Sequence, residues 1–153
     1  MTQEEKELIL KDISARLPYQ PLCKKVDTED VFCECDAQLG YSLRDLVDNK
    51  IIIKPYLRPM SSMTEKESKE LSILYGLKDI LSIKKITDEY IEVVVDDGFC
   101  STETGAIWYD EIISSIEIFD WLNAHHFDYR GLIPKGLAIP VTKENNPYKT
   151  LKA

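Results

Sequence analysis

Six consecutive residues, His125-His126-Phe127-Asp128-Tyr129-Arg130, bring a general base, a general acid and a cation that could polarise a substrate into one short run. Adjacent side chains on a helix diverge by about 100°, so the two imidazoles are not set to share one metal, and the i, i+4 histidine pair of a zinc helix is absent. The run therefore names His125, His126 and Asp128 as candidate catalytic groups, and a metal held here would take only one of the two histidines. A plainer reading is structural. His125 falls at an apolar helix position, where a ring nitrogen would bond a backbone carbonyl, and Asp128 would cap the turn that follows.

A second constellation lies upstream. With a period of two, Lys54, Tyr56 and Arg58 share one side of an extended run, and a helix start follows at Ser61, Ser62 and Thr64. Arginine grips phosphate through two N–H groups, and a helix start offers unpaired N–H groups, so these six residues are candidate ligands for a nucleotide or another phosphorylated small molecule. Against this, Glu65 and Glu67 already complement the helix dipole, and no glycine-rich loop is present to cradle a phosphate. A simple strand-to-helix connection with capping hydroxyls explains the same residues.

The cysteines supply less. Cys33 and Cys35 would point the same way from a strand, with Cys23 or Cys100 completing a set, yet structural zinc sites favour two C-x2-4-C pairs and the second pair is missing. Reduced thiols are expected, with no metal and no cofactor. There is no G-x-S-x-G, P-loop, dinucleotide fingerprint or zinc-protease motif. Function in binding is thereby favoured over turnover.

Charge carries the clearest hint. The formal net charge is −8 with a pI near 4.8, which disfavours the phosphate attraction that nucleic-acid binders use. From Ile86 to Tyr129 there are eleven acidic residues and no Lys or Arg, which leaves +3 for the rest of the chain. Such a stretch is either a solvated face that aids solubility or a docking surface for a basic partner or a divalent cation. Asp96, Asp97, Asp110 and Glu111 are the candidate partner-binding residues within it.

The elements that must position these residues make an α+β domain: an N-terminal helix, an antiparallel sheet of about four or five strands, a short middle helix and a closing helix. Thr2 and Glu5 have capping-box spacing, with Ile9, Leu10, Ile13 and Leu17 on one side and Pro18 as the stop. Ile51–Leu57 reads as a strand that Pro55 confines to a sheet edge, or as one ending nearby. Ser62/Glu65 and Thr64/Glu67 offer overlapping caps for a middle helix that turns Leu71, Leu74 and Tyr75 inward before Gly76. Ile80–Ile86 and Tyr90–Val95 form a hairpin, and Asp96-Asp97-Gly98 makes the next turn. Ser114 and Glu117 cap the closing helix, with Ile113 and Ile118 as a hydrophobic staple and Ile118, Trp121, Leu122 and His125 inward. At 153 residues one domain is expected over 1–139, with a polar and loose tail over 140–153. The opening residues lack a secretion signal and no stretch reaches membrane-span length, so a cytoplasmic protein is expected.

Two segments, Ile53–Thr64 (IKPYLRPMSSMT) and Asp120–Ile133 (DWLNAHHFDYRGLI), together with the Thr2–Leu17 helix, resemble a family of short uncharacterised proteins encoded by anaerobic gut bacteria, their mobile elements and phages. The likeness covers about a third of the chain and brings no catalytic roles with it. It implies a small accessory protein associated with a phage or mobile element. The separation of charge and the lack of a catalytic signature add the expectation that this accessory or regulatory module docks on a host or phage protein through its acidic surface. The alternative is a binder or hydrolase of a phosphorylated small molecule such as a nucleotide, and a third is a virion or assembly component.

Overall fold

A computed structural model of the chain describes residues 1–26, 31–33, 52–96, 98–99 and 101–150, the side chains of 31–33 and 149–150 excepted. The elements in chain order are α1 (Gln3–Arg16), β1 (Leu22–Lys25), β2 (Val31–Cys33), β3 (Ile53–Leu57), α2 (Glu65–Tyr75), β4 (Ile80–Ile86), β5 (Tyr90–Asp96), β6 (Thr102–Trp108), α3 (Tyr109–Ile112), α4 (Ile116–Ala124), β7 (Ile139–Pro140) and α5 (Pro147–Thr150). Single 3-10 turns at Leu17–Tyr19 and Met60–Ser62 supplement them. The architecture is α+β, but the strands divide between two small sheets, in the orders β2-β1-β3-β7 and β4-β5-β6. The described residues group into two compact units: Met1–Arg58 with His126–Ala153, and Pro59–His125. Among the described residues no helix is long and apolar enough to cross a membrane.

In the first unit, α1 starts where the Thr2 hydroxyl accepts from the Glu5 N–H and the Glu5 carboxylate accepts from the Thr2 N–H, the capping box its sequence predicts. Ile9 and Ile13 on its inner side join Cys23, Ile53, Leu57, Leu132 and Leu137 in one apolar cluster. Asp12 and Arg16 lie on the same side of the helix and are equally buried.

Pro55 does not put β3 at an edge. It lacks the N–H that a ladder needs, so the antiparallel pairing with β1 stops at Cys23 opposite Pro55. Just beyond that pair the Tyr148 hydroxyl bridges the two strands, accepting from the Leu22 N–H at 3.1 Å and donating to the Tyr56 carbonyl at 2.9 Å. On its other side β3 pairs in parallel with β7, and the Val141 N–H donates to the Leu57 carbonyl at 2.8 Å. Leu22, Tyr56 and Val141 form a second buried cluster, with Ile139 and Tyr148 against it.

In the second unit, the Thr64–Glu67 box is the cap that forms, and α2 ends at Gly76, whose φ of 105° strains any residue with a Cβ. The inner side of α2 is Ser68, Leu71 and Ser72; Leu74 and Tyr75, expected inward, are 39% and 45% exposed. The serines can be buried because their hydroxyls bond back to the Thr64 and Ser68 carbonyls at 2.9 and 2.7 Å. The predicted hairpin is β4–β5, extended by β6 into a three-stranded meander whose Ile91, Val93 and Ile107 are buried. The cap of α4 is Ser115, one residue later than expected, its hydroxyl accepting from the Ile118 N–H. Ser114 is tied instead to the preceding turn, where its N–H donates to the Ile112 carbonyl.

Candidate functional site

The histidine run does not assemble as one acid–base group. His125 closes α4 in the second unit, with Nδ1 2.8 Å from the Trp121 carbonyl oxygen and its ring stacked on Trp121 at 4.1 Å. His126 belongs to the first unit, has a φ of 62° and stacks on Tyr148 at 3.9 Å. The Asp128 carboxylate accepts from the Leu132 and Ile133 N–H groups at 2.8 and 2.9 Å. Burial raises its pKa above the ordinary carboxylate value, against the lowering effect of those two bonds and of Arg16.

Around it lies a polar cluster that sequence reading missed. Asp12 accepts from Nε and Nη2 of Arg16 at 2.9 and 3.0 Å and from Nη1 of Arg130 at 3.0 Å. Arg16 also donates to the Phe127 carbonyl at 2.6 Å, and both guanidinium groups lie against the Tyr129 ring, at 5.2 and 4.6 Å. The spacing of Asp12 and Arg16 was the available signal: an i, i+4 acid–base pair on the stripe of Ile9 and Ile13 is placed to be buried together. This cluster fastens α1 to the residues after His126, and its donors and acceptors are largely turned on one another.

The phosphate constellation is likewise dispersed. Lys54, Tyr56 and Arg58 belong to the first unit, and Ser61, Ser62 and Thr64 to the second. Tyr56 is 4% exposed inside the cluster around Leu22, while the Arg58 guanidinium sits 4.2 Å over the Phe127 ring. At the helix start the Ser61 N–H donates to Asp88 at 2.9 Å, the Thr64 N–H donates to Glu67, and the Ser62 hydroxyl donates to the Pro59 carbonyl. The chain's own carboxylates thus stand where an external anion would bind. Cys23 is buried in β1; the side chain of Cys33, and Cys35 and Cys100 entirely, lie outside the described residues. Among the described residues no group of three His, Cys, Asp or Glu is arranged to hold a metal.

The remaining candidates converge on the second unit. Pro59–His125 carries fourteen acidic and five basic residues, a net of −9 in a chain of −8. Asp96 pairs with Thr102 at one end of β6, and Asp110 and Glu111 follow directly after its other end at Trp108; all three are exposed. Asp97 lies outside the described residues. Between these acidic ends the outer face of β5 and β6 forms an open concavity of about 400 Å³ lined by Tyr90, Glu92, Thr104, Gly105, Ala106 and Trp108. The two-residue period explains it: Ile91, Val93 and Ile107 turn inward, so Tyr90, Glu92, Ala106 and Trp108 turn out.

Tyr90 and Trp108 are direct cross-strand partners with ring centroids 4.8 Å apart. Gly105 and Ala106 provide a low floor beside them. Among the described residues Glu92 pairs with Lys84 alone, at 3.7 Å, and with the lysine exposed and the carboxylate half-buried this long contact is one that an incoming cation can displace. This combination of an aromatic wall, small residues and a carboxylate accommodates a long cationic side chain, whose stem covers the rings while its head meets the acid. No family model, curated protein or solved structure matches the chain.

Proposed function

We propose that the protein is a small accessory or regulatory binding module that docks on a basic partner protein through Pro59–His125. The observation that carries this reading is the gathering of the whole net negative charge of the chain in that unit, the remainder being +1, with Asp96, Asp110 and Glu111 bracketing an outward aromatic face. Opposed potentials speed encounter and select against acidic competitors, and the exposed Trp108 beside the half-buried Tyr90 supplies the apolar contact that such an interface needs. In keeping with the resemblance of its two segments, the partner is a host or phage protein, met in the cytoplasm.

The test is a low-salt pull-down from source cells with the full chain, beside the triple variant Asp96→Lys/Asp110→Lys/Glu111→Lys. A stoichiometric basic protein retained by the wild type and lost by the variant is the expected result. Recovery of no stoichiometric partner by the wild type overturns the reading.

A further inference from the structure

Among the described residues β4 and β6 are the two edges of the β4-β5-β6 sheet, and they differ in kind. An unpaired strand edge is a template for another strand, and proteins blunt such edges with bulges, lysines or proline. Edge β4 has these devices: its register with β5 is broken between Ile80 and Ser82 and again between Ile83 and Lys85, and it carries Lys84 and Lys85. Edge β6 has none of them. Its seven residues pair with β5 in one unbroken register, it contains no Lys, Arg or Pro, and every residue except Ile107 is exposed.

We infer that β6 receives an extended basic segment of the partner as a fourth strand of this sheet, a deepening that rests on the docking function proposed above. Main-chain hydrogen bonds to the outward N–H and C=O groups of Thr102–Trp108 give the added strand its hold, and alternate side chains give it selectivity. Those on the outer face lie beside Thr104, Ala106 and Trp108. A Lys or Arg opposite Ala106 meets no bulk there; its stem lies on Trp108 and Tyr90 and its head faces Glu92. Asp96 at one end of the strand and Asp110 and Glu111 at the other extend the same preference along the segment.

Charge also decides between occupants. A second copy pairing β6 to β6 would bring two units of net −9 together, with no Lys or Arg between Ile86 and Tyr129 to offset the repulsion. A basic strand gains from the same field.

The experiment titrates the full chain with blocked heptapeptides that alternate valine with lysine or valine with glutamate, following backbone amides by NMR and affinity by calorimetry. The lysine peptide is expected to shift amides of Thr102–Trp108 and to leave those of Ile80–Ile86 largely in place, with affinity that falls as salt rises. N-methylating alternate amides along one edge of that peptide should weaken binding at least about tenfold, while methylating the other edge leaves it unchanged, because only one edge faces β6. Equal binding by the two methylated peptides, or no binding by the lysine peptide, overturns strand addition. Equal binding by the glutamate peptide overturns the acidic docking reading itself, whatever the methylated peptides do. A chain already dimeric through β6 in light scattering and NMR overturns the choice of occupant.

Discussion

Replacing Asp12 with alanine removes the carboxylate that, among the described residues, holds both Arg16 and Arg130. Asp12 and Arg16 have no solvent exposure, so water does not screen the loss. Deleting one partner of a buried pair leaves the other charge desolvated and uncompensated, which costs about 3–5 kcal/mol. Arg16 would keep its bond to the Phe127 carbonyl and the Tyr129 face, which puts the expected loss near the lower end, about 3 kcal/mol. That is a large part of the 5–15 kcal/mol or so by which domains are stable. Arg130 is 17% exposed at its side chain, so Arg130→Ala should cost only about 1 kcal/mol. Urea unfolding followed by far-ultraviolet circular dichroism measures both, together with hydrogen exchange of the α1 amides. Tryptophan fluorescence is the wrong probe, because Trp108 and Trp121, the only tryptophans, lie in Pro59–His125. The double variant Asp12→Leu/Arg16→Met should recover most of the loss, since an apolar pair of similar volume avoids the desolvation altogether. An Asp12→Ala protein within about 1 kcal/mol of wild type would refute the account of this cluster as a paired, buried charge.

Two further outcomes follow from groups whose environments are equally specific. The Tyr109 hydroxyl is buried with no hydrogen-bond partner among the described residues, and burial followed by the Asp88 charge raises its pKa; Tyr109→Phe should therefore leave stability unchanged or raise it by up to about 1 kcal/mol, and a loss of stability in urea would contradict this. Burial raises the pKa of Asp128 in the folded chain, so the folded state binds that proton more tightly than the unfolded one. Its contribution favours folding below the ordinary carboxylate value of 3.8 and is lost as pH rises through the raised folded value. Asp128→Asn should flatten that part of the stability profile. It should also cost about 1–2 kcal/mol throughout, since an amide offers one oxygen to two N–H groups. An unaltered pH slope in the urea midpoint would show that another group is responsible.

Local signals in the sequence located most elements. Thr2–Glu5 and Thr64–Glu67 cap α1 and α2 as their spacing predicts, and Thr87-Asp88-Glu89 joins the β4–β5 hairpin. The errors arise where long-range pairing overrides local pattern. Of the two readings of Pro55, the strand does end nearby, at Leu57, but it is not an edge, because β7 arrives from 82 residues or so along the chain to pair with Tyr56 and Leu57. Leu74 and Tyr75 match an inward stripe, yet two serines that satisfy their own hydroxyls take the buried side of α2. For the candidate site, Asp96, Asp110 and Glu111 were legible because a charge run survives folding as a field. Tyr90 and Trp108 were not, since their adjacency depends on the β5–β6 register and the strand formers of β6, Thr102, Thr104, Ile107 and Trp108, are interrupted by Glu103, Gly105 and Ala106.

The bridge made by Tyr148 has a consequence for the order in which a growing chain can fold. Its hydroxyl serves Leu22 and Tyr56, positions 126 and 92 residues earlier, so the first sheet stays incomplete until Tyr148 has left the ribosome. Pro59–His125 is one continuous stretch and can consolidate while the remainder is still being made. Met1–Arg58 meanwhile waits with its sheet unfinished, and unpaired strand edges of that kind are what invite misassembly during synthesis.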